Sequence, residues 1–166
     1  MTHSATRLTI DLGAIVANWR LLGGLHPSGP VGAVLKANGY GTGAGAAATA
    51  LYGAGCRHFF VAHLTEALPL RPLVPGAMIA VLNGLWPGDA PAYADEGIAP
   101  VLGSLAEIEE WAAHAHTLGR ALPALLHVDT GMNRLGLSPE EVNTLASEPA
   151  RLNGIRLLFI MTHLVS

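Results

Sequence analysis

The chain has 166 residues, which is enough for one domain with a substantial core but too few for two large domains. Its net charge is −3 and its nine basic residues are spread along the chain, which argues against a surface that binds nucleic acid or an acidic membrane. Only 13% of the residues are charged, against about 25% in a typical globular protein, so we expect a partner or further sequence to cover part of the surface.

Cysteine and histidine usage excludes two common kinds of cross-link. Cys56 is the only cysteine, so no internal disulfide and no cysteine-based zinc site can form. His114 and His116 are two positions apart on a predicted helix and face different sides, which argues against a metal site. Residues 1–7 do not resemble a signal peptide, and no apolar run suits a membrane span. We therefore predict a cytoplasmic protein with a small ligand and no metal.

The helices predicted between the apolar runs begin at recognisable capping residues. Asp11 precedes the first, whose apolar face we expect to end at the glycine pair 23–24. A serine followed three residues later by a glutamate predicts two more helix starts, Ser104 with Glu107 and Ser138 with Glu141. The alanine-rich stretch 44–52 is a further predicted helix.

Six short apolar runs with little alternation predict strands that are buried on both faces. Successive runs begin 20 to 32 residues apart, which leaves room for one crossover helix each. They cover residues 31–36, 58–63, 78–83, 98–102, 123–129 and 155–163.

This alternation predicts the α/β class, with either an open doubly wound sheet or a (β/α)8 barrel. A complete barrel takes eight strands and roughly 250 residues. On the barrel interpretation, the chain is an incomplete TIM-type barrel with six of the eight strands.

Lys36 closes the first predicted strand and is followed by a turn with glycines at 39, 41, 43 and 45. Ligands of both architectures gather at the carboxyl ends of the strands, so the ammonium group should point into a site. The amides that open the next helix favour an anion such as phosphate, and a lysine in a semi-apolar site is suited to Schiff-base chemistry. A lysine that simply reaches solvent is the alternative. Tyr40 is either a phosphate ligand or a half-buried loop aromatic.

Four colinear segments resemble the alanine racemase family and together cover essentially the whole chain. Residues 33–43, Ala-Val-Leu-Lys-Ala-Asn-Gly-Tyr-Gly-Thr-Gly, resemble its pyridoxal 5'-phosphate attachment segment. Residues 128–136, Val-Asp-Thr-Gly-Met-Asn-Arg-Leu-Gly, resemble its arginine loop. Residues 9–18 resemble its opening strand and helix, and residues 161–163, Met-Thr-His, resemble a strand that carries a histidine.

The resemblance implies a role for four residues. Lys36 would hold pyridoxal 5'-phosphate as a Schiff base and then act as the base on one side of the substrate α-carbon. Tyr40 would bind the cofactor phosphate. Arg134 would lie beside the cofactor's phenolic oxygen and orient the substrate carboxylate, and His163 would belong to the cofactor's hydrogen-bonding surroundings. Without the resemblance, Arg134 could equally be a solvated cation or an ion-pair partner of Asp129, and His163 a satisfied histidine at a strand end.

The activity implied is the interconversion of L-alanine and D-alanine by two-base proton transfer, which supplies D-alanine for the bacterial cell wall. Family members complete the barrel and add a C-terminal β-domain, whose tyrosine enters the partner subunit's site in a homodimer. We therefore expect residues 1–11 to form a strand that packs with that domain, residues 12–166 to form a partial barrel, and this chain alone to be inactive. His127 departs from the family, because many relatives have a carbamylated lysine there that steadies the arginine.

Two other functions remain open. Residues 41–46 fit the loose G-x-G-x-x-G/A pattern of a nucleotide-dependent oxidoreductase, but four residues separate Lys36 from Gly41, whereas that pattern should follow its strand at once. A non-catalytic pyridoxal-phosphate-binding barrel is the other alternative. Substrate preference among alanine, serine and broader racemases is not determined by these residues.

Overall fold

The computed structural model describes residues 6–165, and the strands in this range lie in one sheet. Each strand overlaps one of the predicted apolar runs but is shorter than the run. The strands are β1 (Ala33–Val34), β2 (His58–Val61), β3 (Met78–Val81), β4 (Ala99–Leu102), β5 (Leu122–His127) and β6 (Ile155–Met161).

The order of the strands decides between the two predicted architectures. It is β1-β2-β3-β4-β5-β6, and every neighbouring pair is parallel. A doubly wound sheet reverses its direction of growth at a switch point, whereas a barrel wall adds each strand beside the previous one. The sheet is therefore an incomplete TIM-type barrel, as predicted.

Helix α1 precedes β1, and the other helices lie between successive strands; α1, α6 and α7 begin where their capping residues predicted. The Asp11 carboxylate accepts a hydrogen bond from the Ala14 amide at 3.0 Å, and the hydroxyls of Ser104 and Ser138 each accept from the third helical amide. The helices are α1 (Leu12–Leu25), α2 (Lys36–Tyr40), α3 (Ala44–Gly53), α4 (Leu64–Ala67), α5 (Ala90–Glu96), α6 (Leu105–Leu118) and α7 (Pro139–Ser147). Short 3₁₀ segments follow α4 and α7, at Leu68–Leu73 and Pro149–Leu152.

Two local predictions need correction. Helix α1 does not end at the glycine pair 23–24 but continues to Leu25, because glycine inside a helix costs only about 1 kcal/mol and the His26 amide still bonds to the Leu22 carbonyl. Residues 6–11 form no strand and pair with none of the described strands. Residues 1–5 lie outside the described range, so the division at residue 11 stays a prediction.

The core has a layer under the helices and a smaller layer on the other face of the sheet. Trp111 of α6, Tyr93 of α5 and Phe59 of β2 are fully buried in the first layer. The second is built around small side chains, among them Ala80 and Ala99. The bulky first layer anchors the helices to the outside of the sheet, which leaves the loops at the strand ends to form a site.

The part of the chain that the structure describes contains no helix long and apolar enough to span a membrane. Within residues 6–165, no three His, Cys, Asp or Glu side chains are grouped as metal ligands. The thiol of Cys56 is free and buried.

Candidate active site at the carboxyl ends of the strands

A cleft of about 610 Å³ opens beside the carboxyl ends of the strands. Its volume is within the range of small-molecule sites, and this end of a barrel is where TIM-type proteins carry their active sites. It is lined by Lys36, Leu82, Asn83, Leu85, Trp86, Pro87, Glu107, His127, Arg134, Leu135, Met161 and His163. The lining comes from five of the six strand ends, so the cleft depends on the sheet being assembled.

Three of the four predicted site residues line this cleft, namely Lys36, Arg134 and His163. Tyr40 does not. Its side chain is 65% exposed and borders a separate cavity between α1, β1 and α3. The phosphate role of Tyr40 stays a prediction that this arrangement of the side chain does not support.

The backbone reverses its handedness directly after Lys36. Ala37, Asn38, Gly39 and Tyr40 have φ values of 52°, 54°, 65° and 55°, so α2 is a left-handed turn rather than an ordinary helix. A left-handed conformation costs a non-glycine residue roughly 1–2 kcal/mol. Tertiary hydrogen bonds must therefore hold this turn.

Two side chains brace the left-handed turn. The Asn38 side-chain oxygen accepts from the Ala44 amide at 2.9 Å and so occupies the N-terminus of α3. The Glu66 carboxylate accepts from the Ala37 amide at 2.7 Å, from 29 residues along the chain. The turn is thereby tied both to the helix that follows it and to the neighbouring βα unit.

Glu66 is one of three glutamates that join neighbouring βα units at this end of the sheet. Glu66, Glu107 and Glu141 each occupy the third position of a helix, in α4, α6 and α7. Each accepts from an amide at the start of its own helix and from an amide of the preceding unit. The amides of the preceding units belong to Ala37, Leu85 and Leu105, at 2.7, 3.4 and 3.2 Å.

The serine–glutamate spacing predicts Glu107 and Glu141 only as local caps and does not reveal Glu66. His63 precedes Glu66 by three positions, as Ser104 precedes Glu107, but histidine is not a typical capping residue. The bond to the preceding unit has no local signal. It depends on which loops the parallel sheet places side by side.

The loop that carries Arg134 is organised by Asp129. Its carboxylate accepts from the Gly131 amide at 2.9 Å and from the Asn133 amide at 3.0 Å, and these hydrogen bonds hold the pKa of Asp129 below its usual value. Both residues lie in the described range and form no ion pair with each other, so the alternative of an Asp129–Arg134 bridge is wrong for this structure. The exposed guanidinium is left at the cleft.

A second contact joins this loop to the end of β6. The Thr130 and Thr162 hydroxyl oxygens are 2.7 Å apart, next to His163. The His163 ring is exposed, and its Nδ1 lies 3.0 Å from the Leu164 carbonyl oxygen. The predicted arginine and histidine segments are thus linked through their neighbours, which keeps both at one edge of the cleft.

His127 is buried at the end of β5. Burial lowers its pKa, the Asp129 carboxylate opposes this, and the nearby His163 and Arg134 lower it further. The imidazole is therefore neutral near pH 7. A neutral ring supplies no counter-charge to Arg134, in contrast to the carbamylated lysine that the family resemblance implies at this position.

The charges around the cleft favour an anionic ligand. Lys36 and Arg134 are cationic, and Glu107 is the one carboxylate among the described lining residues. Burial raises the pKa of Glu107, although hydrogen bonds from the amides of Gly103 and Leu85 partly offset this. Among the described residues Glu107 forms no ion pair with Lys36 or Arg134, so both cations are available to a ligand.

The chain is similar to curated proteins named alanine racemase. A profile described as alanine racemase, N-terminal domain, matches residues 10–166. Alanine racemase from Methylobacterium sp. (strain 4-46) is 56% identical over 164 residues, which are 99% of this chain and 44% of that protein. The catabolic alanine racemase of Agrobacterium fabrum is 51% identical over 95% of this chain and 41% of its own length. The chain thus spans less than half the length of these relatives.

Solved structures agree with this similarity. Alanine racemase from Bartonella henselae, with covalently bound pyridoxal phosphate, has a TM-score of 0.90 and 42% identity, covering 94% of this chain and 46% of that one. Histidine racemase from Leuconostoc mesenteroides has a TM-score of 0.83 and 28% identity, covering 95% of this chain and 42% of that one. The matched residues include the Lys36, Arg134 and His163 segments, so the chain belongs to the family of alanine racemase N-terminal domains.

Proposed function

We propose that this chain is the cofactor-binding part of a pyridoxal-phosphate-dependent alanine racemase. The observation that carries the proposal is that Lys36, the only lysine of the chain, lines one cleft with Arg134 and His163. Support comes from relatives at 51–56% identity that are named alanine racemases, and from the Bartonella structure with its covalently bound cofactor.

The residues present fit this cofactor. An aldehyde cofactor with a phosphate group needs a primary amine for attachment, positive charge nearby and a cleft of suitable size. Lys36 supplies the amine, Arg134 adds a second cation, and the cleft has a volume of about 610 Å³. When bound, pyridoxal phosphate supplies an electron sink that makes the α-proton of an attached amino acid acidic.

The side chains of this chain divide the remaining work. The Lys36 Nζ would take or return the α-proton on one face of the substrate. The Arg134 guanidinium offers paired donors that suit a carboxylate or the cofactor's phenolic oxygen. His163 provides a ring nitrogen for hydrogen bonding at the cleft edge.

The second face of the α-carbon needs a second acid and base. The family resemblance assigns it to a tyrosine of a C-terminal β-domain that reaches across a homodimer. Because the chain spans less than half the length of its relatives, racemisation of alanine and the dimer are proposed for the complete catalytic unit. A cytoplasmic location is part of the same proposal, and the free thiol of Cys56 is compatible with a reducing compartment.

Covalent trapping tests the attachment directly. The chain is mixed with pyridoxal 5'-phosphate, reduced with borohydride, digested and analysed by mass spectrometry. We expect a pyridoxyl adduct on Lys36 and its loss in Lys36→Arg, which keeps the charge but not the primary amine. The N-terminal amine is the internal control, since it is the other primary amine of the chain. If an adduct formed at the N-terminus but not at Lys36, the cofactor assignment would be contradicted.

A racemase assay separates an enzyme from a non-catalytic cofactor-binding barrel. It requires the protein extended to the length of its relatives, with alanine, serine and histidine as substrates. We expect alanine to be racemised fastest. An extended protein that is loaded at Lys36 but leaves the configuration of all three amino acids unchanged would favour the non-catalytic alternative.

A further inference from the structure

The turn after Lys36 cannot hold its shape from local preferences alone. Ala37, Asn38 and Tyr40 are all in the left-handed region, which non-glycine residues rarely adopt in succession. Lys36 is the first residue of this turn. The direction in which its side chain leaves the backbone therefore depends on whether the turn is kept.

Glu66 reaches the turn from the neighbouring βα unit. One carboxylate oxygen, Oε1, accepts from the Ala37 amide at 2.7 Å. The other, Oε2, accepts from the amides of Ala62 and His63 at 2.7 and 3.2 Å. Hydrogen bonds from amides to a carboxylate are stronger than neutral ones. A single side chain thus joins the peptide after Lys36 to the end of β2.

The contact with Ala37 goes beyond capping a helix. The amides of Ala62 and His63 belong to the entry into α4, and Oε2 satisfies both. Oε1 is directed instead at the peptide that follows Lys36. Glu141 offers the comparison, because it also caps its own helix and bonds to the preceding unit, but its distant partner is Leu105, which does not line the cleft.

We propose that Glu66 is a positioning residue for Lys36, holding the left-handed turn and thereby directing the amine into the cleft. This inference rests on the proposed function, in which Lys36 is the attachment point. It assigns to Glu66 no contact with cofactor or substrate. Its effect passes through the Ala37 peptide.

Glu66→Gln separates the two halves of the contact. The glutamine side chain keeps one acceptor oxygen, while its NH₂ group cannot accept. That oxygen satisfies two amides if it faces Ala62 and His63, but only one if it faces Ala37. We therefore expect the variant to keep the cap of α4 and to release Ala37. Glu66→Asp is a second variant, since it keeps the charge but is one methylene too short to bridge.

The first measurement needs no cofactor. Because Lys36 is the only lysine, lysine labelling yields one set of side-chain NMR signals. We expect its two ε-protons to be inequivalent in the wild type and to merge in Glu66→Gln, and the Ala37 amide to exchange about tenfold faster, as expected for losing a hydrogen bond to a charged group. In Glu141→Gln the Leu105 amide should exchange faster while Lys36 and Ala37 stay unchanged.

The second measurement uses pyridoxal 5'-phosphate as the probe. The rate of borohydride-trapped labelling at Lys36 should fall about tenfold in Glu66→Gln, again by the loss of one such bond, and should not fall in Glu141→Gln. Labelling of the N-terminal amine should be the same in all three proteins. Urea unfolding of both variants shows whether any difference reflects general loss of the fold.

The outcomes distinguish this inference from the proposed function. Equal labelling and unchanged Lys36 signals in Glu66→Gln and Glu66→Asp would overturn the positioning role while leaving the cofactor assignment intact. A wild type that is never labelled at Lys36, but whose lysine signals still merge in Glu66→Gln, would contradict the proposed function and support the positioning role. A change of equal size in Glu141→Gln would reduce Glu66 to a structural cap.

Discussion

Replacing Gly84 by alanine would test how closely the third strand's loop approaches the Glu107 carboxylate. Gly84 has φ +78°, and a Cβ atom there would lie 2.5 Å from Glu107 Oε2 and 2.9 Å from its Cδ. Such a separation is too short for non-bonded atoms, so the carboxylate must move. It would then lose hydrogen bonds from the amides of Gly103 and Leu85, which are 3.0 and 3.4 Å long.

The expected loss of stability has two parts. An alanine at this left-handed position costs roughly 1–2 kcal/mol. Displacing Glu107 from amides that bond to a charged group adds about 1.5–3 kcal/mol. Gly84→Ala should therefore destabilise the fold by about 2.5–5 kcal/mol, a large part of the roughly 5–15 kcal/mol that keeps a domain folded.

Urea unfolding measures this difference, and Gly88→Ala is the matched control. Gly88 also has a left-handed φ, +88°, but an added Cβ there meets nothing within 4 Å. The Gly88→Ala variant should therefore lose only the roughly 1–2 kcal/mol that the left-handed backbone costs an alanine. In the Gly84→Ala background, Glu107→Ala should lower the free energy of unfolding by less than it does in the wild type, since the carboxylate is already displaced. Equal losses in the two glycine variants would refute the proposed collision.

Three further variants test the site and its supports. Because burial lowers the pKa of His127, the unfolded chain binds its proton more tightly; the free energy of unfolding should fall as pH drops below about 6.5, and His127→Gln should flatten this dependence in urea unfolding at pH 7 and 5. Ser138→Ala should lower stability by about 1 kcal/mol by removing the cap of α7, seen as a lower thermal midpoint; no shift would mean that Glu141 alone suffices. Thr162→Val should break the bond to Thr130 at a cost of about 1 kcal/mol and speed amide exchange in the arginine loop; unchanged exchange there would show that the loop holds itself.

Much of the site could be predicted from short stretches of sequence. Lys36 and His163 each lie within two residues after a strand, and Arg134 lies in a loop that Asp129 organises within five residues. These are local relationships, and a family resemblance carries them well. Lys36, Arg134 and His163 line one cleft, while their chemical roles stay predictions.

Tyr40 is close to Lys36 in sequence but does not line the cleft. Its neighbours in sequence suggested a residue of the same site, but the left-handed turn directs its ring to another cavity. The glycine pair 23–24 is a milder case, because glycine weakens a helix without having to end it.

Local sequence patterns are enough to predict the six strands, the caps of α1, α6 and α7, and the position of Lys36 at a strand end. Each of these depends on residues only a few positions apart. The order of the strands, the hydrogen bond from the Ala37 amide to Glu66 and the approach of Gly84 to Glu107 become visible only in the assembled sheet. The reason is physical: residues 29 or 23 positions apart meet only because a parallel sheet grows one neighbour at a time and brings consecutive βα loops together at one edge.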